Sequence, residues 1–374
     1  MGGKLYVGVS GTARRVKKMY VGVNGVARKV KKLYVGVNGI ARKVFGGGIV
    51  YIGTTADGMS AAGRFYRATC NANYAMFAGR GQTVCAYNSS LTLNTTASLL
   101  YKTDYPAATH IGNYALFAGG LYYSNSEYLK KVNAFNLSLT RSNPSDLTAN
   151  NPYKSSGTHI GNYAIIFGSY SGLGGAKADC YNTSLTRSSA ASSVSFGTIY
   201  DGAATHNNTY AVFAGGWNGS DYRDSVYAFD SSLTLSQPSV LSVAKKQFAA
   251  AHAGEYALFA GGKTSNSNSN VVEAYNDSLT KTTPTALSQY KYDLGGTAIA
   301  GGEYAMFGGG YWGGSPSTSD VVEAYDTGLV KTIETSLSLY GTVYGATHIG
   351  DYALFGGGDT GDPRAGVVDV YQYE

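Results

Sequence analysis

The chain has 374 residues, is 44% hydrophobic and only 14% charged, and contains 51 glycines, 33 tyrosines and seven prolines. Its formal charge of +6 hides an asymmetry: residues 1–44 carry eleven of the 29 lysines and arginines and none of the 23 acids, which leaves a basic arm on a mildly acidic body. This composition argues against disorder and for an all-β chain of short strands and Gly-rich turns. No apolar run approaches the ~20 residues of a membrane-spanning helix. The N-terminal stretch lacks the apolar core of a signal peptide, so synthesis in a reducing cytoplasm without membrane insertion is expected. Cys70, Cys85 and Cys180 stand at unrelated spacings and form neither a metal motif nor a disulfide framework.

The arm consists of three near-identical phrases, with Tyr6, Tyr20 and Tyr34 fourteen residues apart. In each, Tyr-Val-Gly-Val runs into Asn-Gly (Ser10-Gly11 in the first copy), a strong signal for a tight hairpin. Pairing across the turn would put Leu33, Val35, Val37, Ile40 and Val44 on one face, and Tyr34 and Lys43 on the other. One hairpin is marginal in water, so the arm reads as a small assembly that docks. Tyr6, Tyr20, Tyr34, Arg28, Lys29, Arg42 and Lys43 are its candidate attachment residues. Phosphate neutralisation by the bases is the alternative to a solvated docking face; the docking face is preferred, with nucleic acid not expected as a partner.

An apolar stretch, "GIVYIGTT" at 48–55, comes next, and then a longer repeat begins. Tyr74, Tyr114, Tyr163, Tyr210, Tyr256, Tyr304 and Tyr352 each sit in a phrase such as "HIGNYALFAGG", 40 to 49 residues apart, and each is followed by a phrase such as "VEAYNDSLT". A period of ~40–50 residues is that of propeller blades. Each unit reads as four strands: "ATHI", "YALFAG", "VEAY" and a last one beginning at "SLT". The seventh unit lacks its fourth strand, and 48–55 is the spare strand that would supply it and leave no open edge.

The apolar strand with Tyr, the doublets Gly119-Gly120, Gly215-Gly216, Gly261-Gly262, Gly309-Gly310 and Gly357-Gly358, and the later strand ending in Tyr resemble a kelch repeat over roughly 49–374. Kelch units usually carry a Trp after the third strand; here Leu91, Leu139, Leu185, Leu233, Leu279 and Leu329 stand nearby. The resemblance implies an all-β, seven-bladed kelch-like β-propeller at 46–374, closed by an N-terminal strand and preceded by the three-repeat hairpin module at 1–45.

Antiparallel strands send the second-to-third and fourth-to-first connections to one face. That face is rich in aromatics: Tyr122, Tyr123, Tyr170, Trp217, Tyr222, Tyr311 and Trp312 are the candidate ligand-binding residues. Tyr105, Tyr153, Tyr200, Tyr290, Tyr292 and Tyr340 lie in the fourth-to-first loops, where packing between blades is the competing role. Trp217 and Trp312 are expected to be exposed. Aromatic rings with Asn and Ser donors suit a glycan.

The five histidines, His110, His159, His206, His252 and His348, share one repeat position, with Cys70 and Ala298 in the other two slots. One residue per blade is expected to spread round the ring beyond the ~2 Å bonds of a zinc site. This favours a repeated packing or hydrogen-bonding role near the channel, with no metal or cofactor. The sequons at Asn88, Asn136 and Asn276 read as turn asparagines. No nucleophile elbow, phosphate loop or HExxH motif is present, so an enzyme is not expected. The loop acids Asp104, Glu127, Asp221, Asp224, Asp359 and Asp362 are those a glycan-acting enzyme would have to use.

The opening phrase also resembles the "YVGVNGVARKVKK" repeats that begin structural proteins of phages and prophages of Gram-positive bacteria. The resemblance implies a virion component whose N-terminal part attaches to other virion proteins. The leading expectation is a tail fibre or receptor-binding protein for a host-surface glycan or protein; a capsid or tail decoration protein is second, a glycan-acting enzyme third.

Overall fold

The computed structural model describes the backbone of 6–9, 12–15, 20–23, 26–29, 32–37 and 40–46, and residues 48–374 apart from 57, 60–66, 80, 123, 149–150, 171–175, 190–195, 314–316 and 359–365. The chain divides into two compact units, Met1–Val50 with Gln372–Glu374, and Tyr51–Tyr371. The first holds three two-stranded hairpins: Tyr6–Val9 with Thr12–Arg15, Tyr20–Val23 with Val26–Lys29, and Lys32–Val37 with Ile40–Gly46. In the third, Tyr34 lies opposite Lys43, and Val35 lies opposite Arg42. The side chains of the arm, and so its expected faces, lie outside the described residues.

Among the described residues there is no helix, and seven four-stranded antiparallel sheets follow one another. This is a β-propeller-like arrangement. Their first strands are Arg67–Cys70, Ala107–Ile111, Ser156–Ile160, Ala203–His206, Ala249–Ala253, Gly295–Ile299 and Gly345–Ile349. Each neighbours the next, and Gly345–Ile349 neighbours Arg67–Cys70. The last sheet runs Gly345–Ile349, Tyr352–Gly356, Val368–Tyr373, Ile49–Thr54. Within it Thr55 N–H donates to the Val368 carbonyl (3.0 Å), and the Tyr51 hydroxyl to the Asp369 carboxylate (2.8 Å).

The core lies between sheets. Second and third strands are buried on both faces, as in Ala75–Ala78 and Val272–Tyr275. Ile165, Phe167 and Cys180 of the third sheet pack on Phe213 and Phe229 of the fourth, and Leu116 and Ala134 of the second pack on Ile166 and Tyr181 of the third. Burying such side chains contributes roughly 1.5–3 kcal/mol each.

The fourth strands begin later than the sequence suggests. In the first six sheets they are two or three residues long, as in Arg141–Ser142 and Lys281–Thr282, where the preceding Ser-Leu-Thr belongs to a turn. Asn276 Oδ1 accepts the N–H groups of Ser278 (3.0 Å) and Thr280 (2.9 Å), and Leu279 N–H donates to the Asn276 carbonyl (2.8 Å). The same pattern holds at Asn88, Asn136, Asn182, Asp230 and Asp326. It forces the leucine into the left-handed region, with φ from 57° to 62° at Leu91, Leu139, Leu185, Leu233, Leu279 and Leu329. That conformation costs about 1–2 kcal/mol, which two side-chain hydrogen bonds and partial burial of the leucine offset. The sequon asparagines Asn88, Asn136 and Asn276 are thus held in their own turns.

Adjacent sheets are joined by polar contacts that recur by position. The second residue of four of the doublets donates its N–H to the loop entering the next sheet: Gly120 to Pro152 (2.7 Å), Gly216 to Lys245 (2.8 Å), Gly262 to Lys291 (2.8 Å) and Gly310 to Gly341 (3.0 Å). In the third unit Ser169 does the same toward Ile199 (2.7 Å). The first glycine of the doublet has positive φ, and a Cβ on Gly261 would stand 2.6 Å from the Lys291 carbonyl oxygen. Third-strand polar residues reach back to the preceding connection: Asp179 accepts from Thr148 N–H, Glu273 from Ser242 N–H, Glu323 from Ser288 N–H and Asp369 from Ser338 N–H. The fully buried tyrosines Tyr181, Tyr275, Tyr325 and Tyr371 donate to carbonyls of the same connections. Lys245 and Lys291 are buried beside Glu273 (3.4 Å) and Glu323 (3.6 Å). Burial, opposed by Glu323, brings the Lys291 amine down to about 8.

Gly261→Ala should therefore destabilise the fold by about 2–3 kcal/mol, through a left-handed Cβ and a clash with the next sheet's backbone. Gly48→Ala, with nothing within 4 Å of the new Cβ, should change stability by less than about 0.5 kcal/mol; chemical denaturation of both variants measures the contrast. Glu323→Ala strands a buried lysine and an N–H, and should cost about 3–5 kcal/mol in the same assay.

Candidate ligand-binding face

The second-to-third and fourth-to-first connections meet at one end of each sheet. Isolated bridges pair Gly81 with Thr103, Ser169 with Ile199, Tyr200 with Trp217, Lys246 with Lys263, and Tyr292 with Tyr311. Among the described residues this end carries aromatic residues singled out from the sequence, in four groups.

Tyr170 is the hub of the largest group. Its ring stacks on Tyr128 (centroids 5.4 Å apart, planes at 30°), meets Tyr153 edge-on (5.3 Å) and packs on Tyr200 (4.7 Å). Tyr153 meets Tyr105 in turn (5.4 Å). The run crosses from one unit to the next, so these fourth-to-first tyrosines do pack between sheets while remaining half-buried rather than sealed. Trp217 meets Tyr222 edge-on (4.7 Å), with the Lys246 ammonium 4.2 Å from the Trp217 ring. Tyr311 stacks on Tyr292 (5.3 Å, 23°). Tyr122 packs on Tyr101 (6.0 Å), and Tyr123 lies outside the described residues. Trp217 and Trp312 are half-buried rather than exposed. Tyr222 and Lys246 cover Trp217, and the N–H of Trp312 donates to the Ser317 carbonyl (3.0 Å) within its own loop.

The tyrosine run ends at a polar cavity of about 180 Å³, which the sequence reading missed. Its wall includes Arg67, Tyr105, Lys154, Asp201, Gln247, Asp293 and Tyr344. Tyr105, Lys154, Asp201, Gln247 and Asp293 occupy one repeat position, five residues before the histidine slot, and all have positive φ, between 50° and 57°. In that conformation each backbone joins its neighbour: Asp201 N–H donates to Lys154 O (3.0 Å), Gln247 to Asp201 (2.9 Å) and Asp293 to Gln247 (2.9 Å). The side chains pair as well. Lys154 bridges to Asp201 at 3.0 Å, and Gln247 Nε2 donates to both oxygens of Asp293 at 3.2 Å. Withdrawal from bulk water, then the nearby Asp201 charge, pushes the Asp293 carboxyl up to about 7. An aligned column of polar residues at one repeat position is the signal that could have found this cavity.

At the far end of the same strands sits the histidine position, and here the sequence expectation is corrected. The rings are not spread apart: His110 and His159 lie 4.0 Å between centroids, His159 and His206 4.3 Å, and His206 and His252 4.2 Å. Cys70 Sγ lies 4.0 Å from His110 Nδ1 and 3.7 Å from His348 Nε2. The first strands approach closely because they are built of Ala, Gly and Thr; a Cβ on Gly157 or Gly296 would stand 2.7 Å from the neighbouring strand's carbonyl oxygen. Burial and neighbouring imidazoles hold His159 and His252 well below the ordinary imidazole range. Burial brings His206 to about 4, against the opposing bond to the Asn207 carbonyl. Burial alone would raise the Cys70 thiol, but His348 and His110 outweigh it and hold it well below its usual range, while Cys70 raises His348.

No protein-family model matches the chain, and no curated protein matches it in sequence.

His206 binds its proton less tightly folded than unfolded. Its neutral form supports the fold fully above pH ~6.5, and that support is lost as the pH falls toward about 4. The loss for this ring is at most about 3 kcal/mol, reduced because the ring is only half-buried. The melting temperature should drop between pH 6.5 and 4, and His206→Gln should show a shallower drop; identical pH profiles would remove His206 from the cause.

Proposed function

We propose that the body is a seven-bladed, kelch-like propeller closed by Ile49–Thr54. Its loop face binds a host-surface glycan, and the hairpin module attaches it to other proteins of a phage particle. Closure is supported by the cyclic neighbourhood of the seven first strands and the position of Ile49–Thr54 beside Val368–Tyr373. Attachment is supported by the resemblance of the three opening phrases to phage structural proteins.

One observation carries the recognition reading: a contiguous run of half-buried tyrosines, Tyr128, Tyr170, Tyr153 and Tyr105, leads from the loop face into a polar cavity. Tyrosine faces bind the CH faces of a sugar, and two chi angles per ring keep the ordering cost low. The cavity of about 180 Å³ holds several waters, which suits one sugar unit at the end of a chain. Asp201, Asp293, Gln247 and Lys154 offer acceptors and donors for its hydroxyls.

The test uses the full chain on a glycan array and labelled particles on host cells. Trp217→Ala with Trp312→Ala, and separately Tyr170→Ala, should each remove on the order of 2 kcal/mol of binding, about thirtyfold, through loss of an aromatic anchor. The tryptophan pair should leave the melting temperature within a few degrees of wild type. Normal adsorption by both variants would move the assignment to a decoration protein, and turnover of an array glycan would move it to an enzyme.

A further inference from the structure

Beside the cavity, the loop face holds two lysines opposite one another. Lys246 N–H donates to the Lys263 carbonyl (3.0 Å), and Lys263 N–H to the Lys246 carbonyl (2.8 Å). Residues that exchange both bonds face each other with Cα atoms about 5.5 Å apart and side chains on the same side. Two positive charges are thus held together, an arrangement that by itself destabilises a strand pair. The units on either side fill the same two positions with aromatic residues: Tyr200 with Trp217 before, and Tyr292 with Tyr311 after, each joined by the same pair of backbone bonds. The lysines lean on both of these pairs. The Lys246 ammonium lies 4.2 Å from the centre of the Trp217 ring, and the Lys263 ammonium 5.3 Å from that of Tyr292.

Among the described residues neither ammonium forms a salt bridge. The acids whose charge reaches Lys246 are Asp201 and Asp293. Asp201 is held by Lys154 at 3.0 Å, and both oxygens of Asp293 accept from Gln247. Partial burial brings the Lys246 amine below its ordinary range; Asp201 and Asp293 oppose this, while Lys154 and Lys263 add to it. We propose that Lys246 and Lys263 seat an oxyanion carried on a sugar, a carboxylate or a phosphate, so that the glycan bound here is acidic; this rests on the reading of the loop face as a glycan site. Two ammonium groups supply donors for the oxygens of one such anion, and its charge cancels the repulsion between them. The half-buried rings of Trp217 and Tyr292 flank the seat and offer apolar surface to the sugar that bears the acid. Gln247, the residue after Lys246, lines the cavity, which places the acidic group next to the sugar unit held there.

The chain has two tryptophans, so full-length Trp312→Phe reports from Trp217 alone. The probes are glucuronate, glucose 6-phosphate and glucose. The expected result is a saturable change in Trp217 fluorescence with glucuronate or glucose 6-phosphate, weakened by added salt, and none with glucose over the same range. The acidic sugar that binds more tightly tells carboxylate from phosphate. In this background Lys246→Gln with Lys263→Gln should weaken binding at least about tenfold. Lys263→Gln alone keeps the Lys246–Trp217 contact; it should also weaken binding, and it decides the matter if the double variant does not fold. Lys102→Gln with Lys177→Gln removes two exposed charges elsewhere and should leave binding unchanged. No saturable change with either acidic sugar, an equal response to glucose, or undiminished binding in the Lys246 and Lys263 variants would each overturn the proposal. On the glycan array, binding confined to neutral glycans would also overturn it and leave the glycan reading intact. A silent array beside a saturable titration would uphold the lysine seat and remove the glycan reading.

Discussion

A single backbone hydrogen bond, repeated, governs how one sheet meets the next. In four doublets the N–H after the first glycine points out of its own sheet and into the carbonyl that opens the following one. For this to happen the chain must turn through positive φ where a Cβ would strike the neighbour's backbone. The doublet is therefore a steric licence for contact, and it sets the spacing of the sheets. That contact fixes which residues share the interfaces and brings the buried tyrosines and acids within reach of the preceding connection.

The sequence showed an all-β chain of repeated four-stranded antiparallel sheets, because periodicity and Gly-Asn turns are local signals. It misplaced the fourth strands, because a leucine in the left-handed region carries no local mark; the asparagine three residues earlier imposes it. It also misjudged the axis. A repeat period counts units but says nothing of how near their inner strands lie. That distance is set by side-chain bulk, and Ala108, Gly157, Ala250 and Gly296 are small enough to let rings at the histidine position touch. The cavity escaped notice for a related reason. Tyr105, Lys154, Asp201, Gln247 and Asp293 look unrelated in chain order and become one feature only when the units are superposed.

The two ends of the first strands thus have opposite chemistry on one scaffold. One end joins a lysine–aspartate pair and an amide–carboxyl pair around a cavity. The other packs imidazoles whose burial keeps most of them uncharged. Small residues between the two ends, and backbone bonds from sheet to sheet, let the polar groups at each end be arranged independently.

The doublet seam joins the glycine pair to the loop entering the next sheet, and that loop also donates to the far end of the second-to-third loop, as in Lys291 N–H to Ser269 O and Gly341 N–H to Ser319 O. The loops after Gly120, Ser169, Gly216, Gly262 and Gly310 differ in length and composition while this seam recurs. The scaffold behaves as a holder for interchangeable cassettes. Exchange of one cassette would change the chemistry of one loop in a single step, with the doublets and turns that build the sheets intact.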